Sequence, residues 1–122
     1  MNDELMGFVV AKPKQTTSKK IYLRIGKRNA RMSGAAVHAL GNPQHVNVFL
    51  DEKTNRVMVK TATEDMANTF FLGLTSGDPL RTTISSKTLV DDLKQMFGGE
   101  CMLIGHVPDG CEGMVIFDRK VQ

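Results

Sequence analysis

Twice along its 122 residues the chain runs through one succession of signals: an alternating apolar stretch, a serine, a short amphipathic segment, a glycine, then two strand-like stretches joined by a polar turn. A succession that recurs in this order restricts the fold, because each short unit has too little apolar surface to close a core alone. In the first unit, residues 19–25 alternate, with Ile21, Leu23 and Ile25 on one side and Lys20, Tyr22 and Arg24 on the other. Residues 26–32 read as a basic turn, and Ser33 stands where a helix N-cap belongs, before Gly34, Ala35, Ala36, Val37, His38, Ala39 and Leu40. Gly41 ends that helix, and Pro43 prevents its resumption. Residues 46–50 and 56–61 then form a hairpin around the polar turn 51–55, with Val57 and Val59 on one face.

The second unit repeats the order. Residues 80–84 are a strand, Ser85 or Ser86 a cap, and residues 87–97 a helix with an apolar stripe of Leu89, Val90, Leu93, Met96 and Phe97. Gly98 and Gly99 stop it, and strands at 101–106 and 114–118 flank a turn-rich segment. Between the units, residues 62–79 read as a connector: Met66, Phe70 and Leu74 recur at helical spacing, but Phe71, Leu72 and Gly73 blur the pattern. One apolar segment of the connector is expected to pack on the core. Residues 1–18 read as an N-terminal arm with a short strand at 6–10, residues 19–61 as the first unit and 80–122 as the second, all within a single domain. The expected class is α+β: two strand-helix-hairpin units, with short helices, paired about a pseudo-two-fold axis.

Charge is distributed unevenly over this frame. Residues 1–31 carry eight basic side chains against Asp3 and Glu4, a balance of +6, while the remainder holds eight basic against eleven acidic groups, a balance of −3. Such separation produces a local field that attracts phosphates or an acidic partner. Two cysteines are too few for a disulfide framework, and residues 1–4 lack the basic region of a signal peptide, so a cytoplasmic protein is expected. No apolar run approaches the roughly 18 residues needed to span a bilayer.

The first unit, residues 21–60, resembles the AbrB and SpoVT swapped-hairpin domain through Gly26, Lys27 and Arg28 leading into a short helix, Leu40 and Gly41 closing it, and the hairpin that follows. The second unit is similar more loosely, through Ile84, Ser85 and Ser86, the helix ending at Gly98, and the closing Val115, Ile116, Phe117 and Asp118. The resemblance implies interleaved hairpins that form a small swapped-hairpin-like β-barrel with short helices, either between chains, as a homodimer, or within one duplicated chain. It also implies DNA binding by cations of the first strand and turn, here Arg24, Lys27, Arg28 and Arg31. The sequence departs from the family where Met32, Ser33 and Gly34 replace a proline at the helix start, and where Gln44 and His45 replace a Gly-Asp pair before the hairpin.

Catalytic chemistry finds no foothold. Cys101, His106 and Cys111 supply three metal ligands without a fourth, and Cys101 and His106, five apart on a strand, point to opposite faces. The serines at 33, 85 and 86 are occupied as caps, and Asp91 and Asp92 diverge by about 100° on their helix. No phosphate-loop motif follows Gly26. A non-enzyme without metal or cofactor is expected. The first functional expectation is nucleic-acid binding and transcription regulation through Lys19, Lys20, Arg24, Lys27, Arg28 and Arg31. The alternative is a small phage-encoded inhibitor, an anti-CRISPR or other anti-defence protein, that docks on a host nucleoprotein complex through Met66, Phe70, Phe71 and Leu74. A structural accessory protein of a mobile element is a third expectation.

Overall fold

The computed structural model describes residues 20–74 and 81–119. Eight strands and two helices follow in the order β1 (Tyr22–Ile25), β2 (Ala30–Met32), α1 (Gly34–Ala39), β3 (His45–Asp51), β4 (Arg56–Ala62), β5 (Phe70–Leu74), β6 (Arg81–Ile84), α2 (Lys87–Phe97), β7 (Cys101–His106) and β8 (Met114–Asp118). The strands close an antiparallel barrel in the ring order β1-β2-β6-β5-β3-β4-β8-β7. Closure removes the unpaired edges that an open sheet would expose.

The ring has an internal equivalence. Exchanging β1 to β4 for β5 to β8, strand by strand, returns the same ring read in the opposite sense. The hairpin β3–β4 thus lies between β5 and β8, and the hairpin β7–β8 between β4 and β1. Two pairs mark where the halves meet their own equivalents: Arg31 opposite Thr83, and Met58 opposite Ile116. Leu23 faces Met32 across β1–β2 as Leu72 faces Ile84 across β5–β6, and one step along, the pair Arg24 and Arg31 corresponds to Gly73 and Thr83.

Two elements differ from the sequence expectation. Residues 26–32 contain not only a turn but the strand β2, and the apolar segment of the connector is the strand β5, whose Leu72 is buried in the core and whose Phe70 packs against it. The partner of β2 in the second half is therefore β6, and the equivalent of β1 is β5. The expected arm strand at 6–10 lies outside the described residues.

The helices plug the barrel because their starts and stops are chemically specified. Ser33 accepts hydrogen bonds at Oγ from the amides of Ala36 (3.2 Å) and Tyr22 (3.0 Å), so the cap of α1 also anchors β1. Ser86 accepts from the Leu89 amide at 3.3 Å, and Gly98 ends α2 at φ 79°, a left-handed position natural to glycine. The face of α2 formed by Leu89, Val90, Leu93 and Phe97 is buried together with Leu23, Ile25, Val57, Leu103 and Phe117. Each such side chain contributes about 1.5–3 kcal/mol through removal from water. In the β3–β4 turn, Asp51 accepts from the Lys53 and Thr54 amides, and the Thr54 hydroxyl and amide held against its carboxylate keep that group below its usual pKa.

Gly105 lets β7 lie close over β1. A Cβ there would stand 2.7 Å from the Phe117 ring and 2.8 Å from an Ile21 methyl, while its amide donates to the Ile21 carbonyl at 2.9 Å. No helix among the described residues is long and apolar enough to cross a membrane.

Candidate functional site

Strand alternation sorts the residues of β1 and β2. Leu23 and Ile25 turn into the core, as do Ala30 and Met32, which leaves Arg24 and Arg31 exposed on the outside of the barrel. The register sets Arg24 directly opposite Arg31 on one side and Met102 of β7 on the other. Because Arg31 in turn faces Thr83, and Thr83 faces Gly73, one continuous row crosses five strands: Gly73, Thr83, Arg31, Arg24, Met102. Two residues along β1, Tyr22 faces Ile104. Like charges directly opposite one another in a sheet repel.

The turn between β1 and β2 is closed by the Gly26 amide donating to the Asn29 carbonyl at 2.9 Å, which presents Lys27 and Arg28 to solvent. Lys94, in the last turn of α2, donates from Nζ to the Lys27 carbonyl at 2.7 Å and so adds another cation to the turn. Beside these groups runs an open groove of about 890 Å³, lined in part by Lys20, Tyr22, Arg24, Arg31, Met102 and Ile104. Met102 and Ile104 are 50% and 41% exposed and lie side by side on this wall of the groove.

Of the expected cations, Lys20, Arg24, Lys27, Arg28 and Arg31 all fall on this side of the barrel, and Lys19 lies outside the described residues. Sequence reasoning missed Lys94, Met102 and Ile104. Lys94 is 67 positions from Lys27, and no local pattern links them. For β7 a signal exists: apolar residues fill both phases at 101–104, so half of them must face outward.

The second expected surface divides. Phe71 and Leu74 of β5 are 53% and 58% exposed and Met66 is exposed in the turn before it, whereas Phe70 is partly buried against the core. Leu74 is exposed although Leu72 of the same strand is buried; at this point the β5–β6 register shifts, with Leu74 opposite Arg81 and the extra residue, Thr82, on β6. The Arg81 guanidinium stands 5.0 Å over the Phe71 ring, and His45 meets that ring edge-on at 5.4 Å.

Cys101 turns partly into the core while His106 is exposed, and no cluster of three metal-ligating side chains occurs among the described residues. Comparison with family models, curated proteins and solved structures finds no match to this chain.

Proposed function

We propose that the chain binds nucleic acid through the outer face of β1 and β2, the turn between them and the end of α2. The observation that carries this reading is the register itself. It brings Arg24 and Arg31 side by side, with Lys27, Arg28 and Lys94 at the adjoining turn. The equivalent pair in the other half, Gly73 and Thr83, closes the same barrel without charge, so the scaffold does not require arginine there. Phosphate oxygens accept from guanidinium groups in bidentate fashion. Regulation of transcription is what the AbrB and SpoVT resemblance adds to this reading. The interleaved order of the two hairpins supports reading the barrel as a duplicated swapped-hairpin pair within one chain.

If about five phosphates are neutralised, the logarithm of the binding constant should fall with the logarithm of salt concentration at a slope of about −4 to −5. Titration of a labelled oligonucleotide by fluorescence anisotropy over a salt series measures this. Arg24→Glu with Arg28→Glu should abolish binding at a moderate salt concentration with an unchanged thermal midpoint. A slope near zero would sink the reading.

A second reading has its own observation: Phe71 and Leu74 stand more than half exposed on β5. On it the chain is a protein-binding inhibitor whose apolar contact is Met66, Phe71 and Leu74. Capture of a host protein that survives nuclease treatment, is unaffected by the Arg24 and Arg28 changes and is lost in Phe71→Asp favours it.

A further inference from the structure

We infer that the groove beside Arg24 and Arg31 takes an unpaired nucleic-acid strand, its phosphates on the arginines and its bases on Tyr22, Met102 and Ile104. The inference rests on the nucleic-acid reading above and narrows its ligand, away from the operator duplex that the family resemblance implies.

Two tracks lie side by side on the barrel wall. Along β2 and β1 the outward residues are Arg31 and Arg24; along the β1–β7 seam they are Met102, opposite Arg24, and the pair of Tyr22 and Ile104. Successive outward residues on a strand are about 6.6 Å apart, and neighbouring strands about 4.8 Å. A base and the phosphate attached to it therefore reach both tracks at once. Lys20 extends the positive border at the Tyr22 end of the groove.

A duplex satisfies only one track. Its phosphates could meet the arginines, but its base faces are stacked inside, so it offers side chains as exposed as Met102 and Ile104 only groove edges and thymine methyls, not a base face. An unpaired base has an apolar face and stacks on aromatic or sulfur-bearing side chains, and a groove that couples such a platform to cations is how proteins hold single strands. The other half of the barrel has an exposed aromatic at the position of Tyr22, Phe71, but it is engaged by Arg81 and His45 and lacks a neighbouring pair of arginines.

Tyr22 is the sole tyrosine and the chain has no tryptophan, so intrinsic emission reports on this groove alone. The test titrates the full chain with oligo(dT), oligo(rU) and the oligo(dT)·oligo(dA) duplex at one salt concentration, following anisotropy of a terminal label and Tyr22 emission corrected for absorption. The expected result is binding of a single strand about tenfold or more tighter than the duplex, with Tyr22 quenched only by the single strand. The ratio of the dT and rU arms then says whether DNA or RNA is preferred. Tyr22→Ala and Met102→Ala should each weaken single-strand binding by about 5- to 100-fold at unchanged salt slope, and Tyr22→Phe should retain it. A duplex bound as tightly as the single strand, or Tyr22 emission unchanged at saturation, overturns this inference while leaving the nucleic-acid reading in place. Binding of none of the three probes overturns both.

Discussion

The outer faces of β1–β2 and β5–β6 share a backbone and differ in chemistry. In both, a leucine one step along is buried against a partner on the next strand, Leu23 against Met32 and Leu72 against Ile84. At the next positions, however, one pair is Arg24 and Arg31, both exposed, and the other Gly73 and Thr83, the latter buried. The turn after β1 holds Lys27 and Arg28; residues 75–80, which follow β5 in sequence, contain no basic side chain. Equivalent inner positions with unlike outer ones separate the demands of folding from those of binding. What both halves keep belongs to the scaffold, and what only one half has is available for function.

The largest expected effects test the shared part. Leu23→Ala and Leu72→Ala each remove a buried side chain from one wall of the barrel, so each should cost about 2–5 kcal/mol of stability. The equivalence predicts costs within about 1 kcal/mol of one another, as measured by urea unfolding. If one leucine proves nearly neutral, the halves do not contribute alike and the comparison breaks at its base.

The caps sharpen it at a smaller scale. Ser33 accepts two amide hydrogen bonds, from Ala36 and from Tyr22, whereas Ser86 accepts one, from Leu89. Ser86→Ala should therefore cost about 1 kcal/mol and Ser33→Ala about 2, because the latter also strands the Tyr22 amide beside a buried helix start. Equal losses in thermal unfolding would mean that the tie from α1 to β1 carries no energy. Since that tie fixes Tyr22, Ser33→Ala should also weaken oligonucleotide binding, and Ser86→Ala should leave it unchanged.

How legible these features are in the sequence follows from how local their causes are. The bounds of α2, β7 and β8 can be read from residues 87–97, 101–106 and 114–118, because a serine cap, an apolar stripe and paired glycines act within a few positions. Strand β2 escapes such reading: three residues are too few to display a period, and it exists because β1 and β6 pair with it on both sides. Strand β5 is hidden by the outward Phe71 and Leu74, which fill both phases and leave Met66, Phe70 and Leu74 at a misleading helical spacing. The same distinction governs the site. Arg24, Lys27, Arg28 and Arg31 are close in sequence and read as one basic group, but Lys94, Met102 and Ile104 join them only through the β1–β7 pairing and the docking of α2. Charge could be located from the sequence, whereas the apolar track beside it required the fold.

The smallest expected effect asks whether the chemical difference between the halves can be reduced by one residue. Gly73 is the equivalent of Arg24, and a Cβ at that position would meet only the Thr83 carbonyl, at an ordinary 3.6 Å. Gly73→Arg should therefore fold with a stability change of about 0.5 kcal/mol or less. The new guanidinium would extend the row that runs through Thr83, Arg31 and Arg24. It would stand two strands from Arg31, roughly 10 Å at the backbone and within a Debye length at moderate salt. A ligand lying across the meeting point of the halves would gain a phosphate contact, and the salt slope would steepen by about one. Confinement to the β1–β7 side instead predicts a slope within error of the parent. The groove reaches past Arg31 to Thr83 but not to Gly73, and the exposed apolar track begins only beyond Arg24, so the parent slope is the outcome expected. A steeper slope would mean that the ligand follows the row of cations rather than the groove beside them.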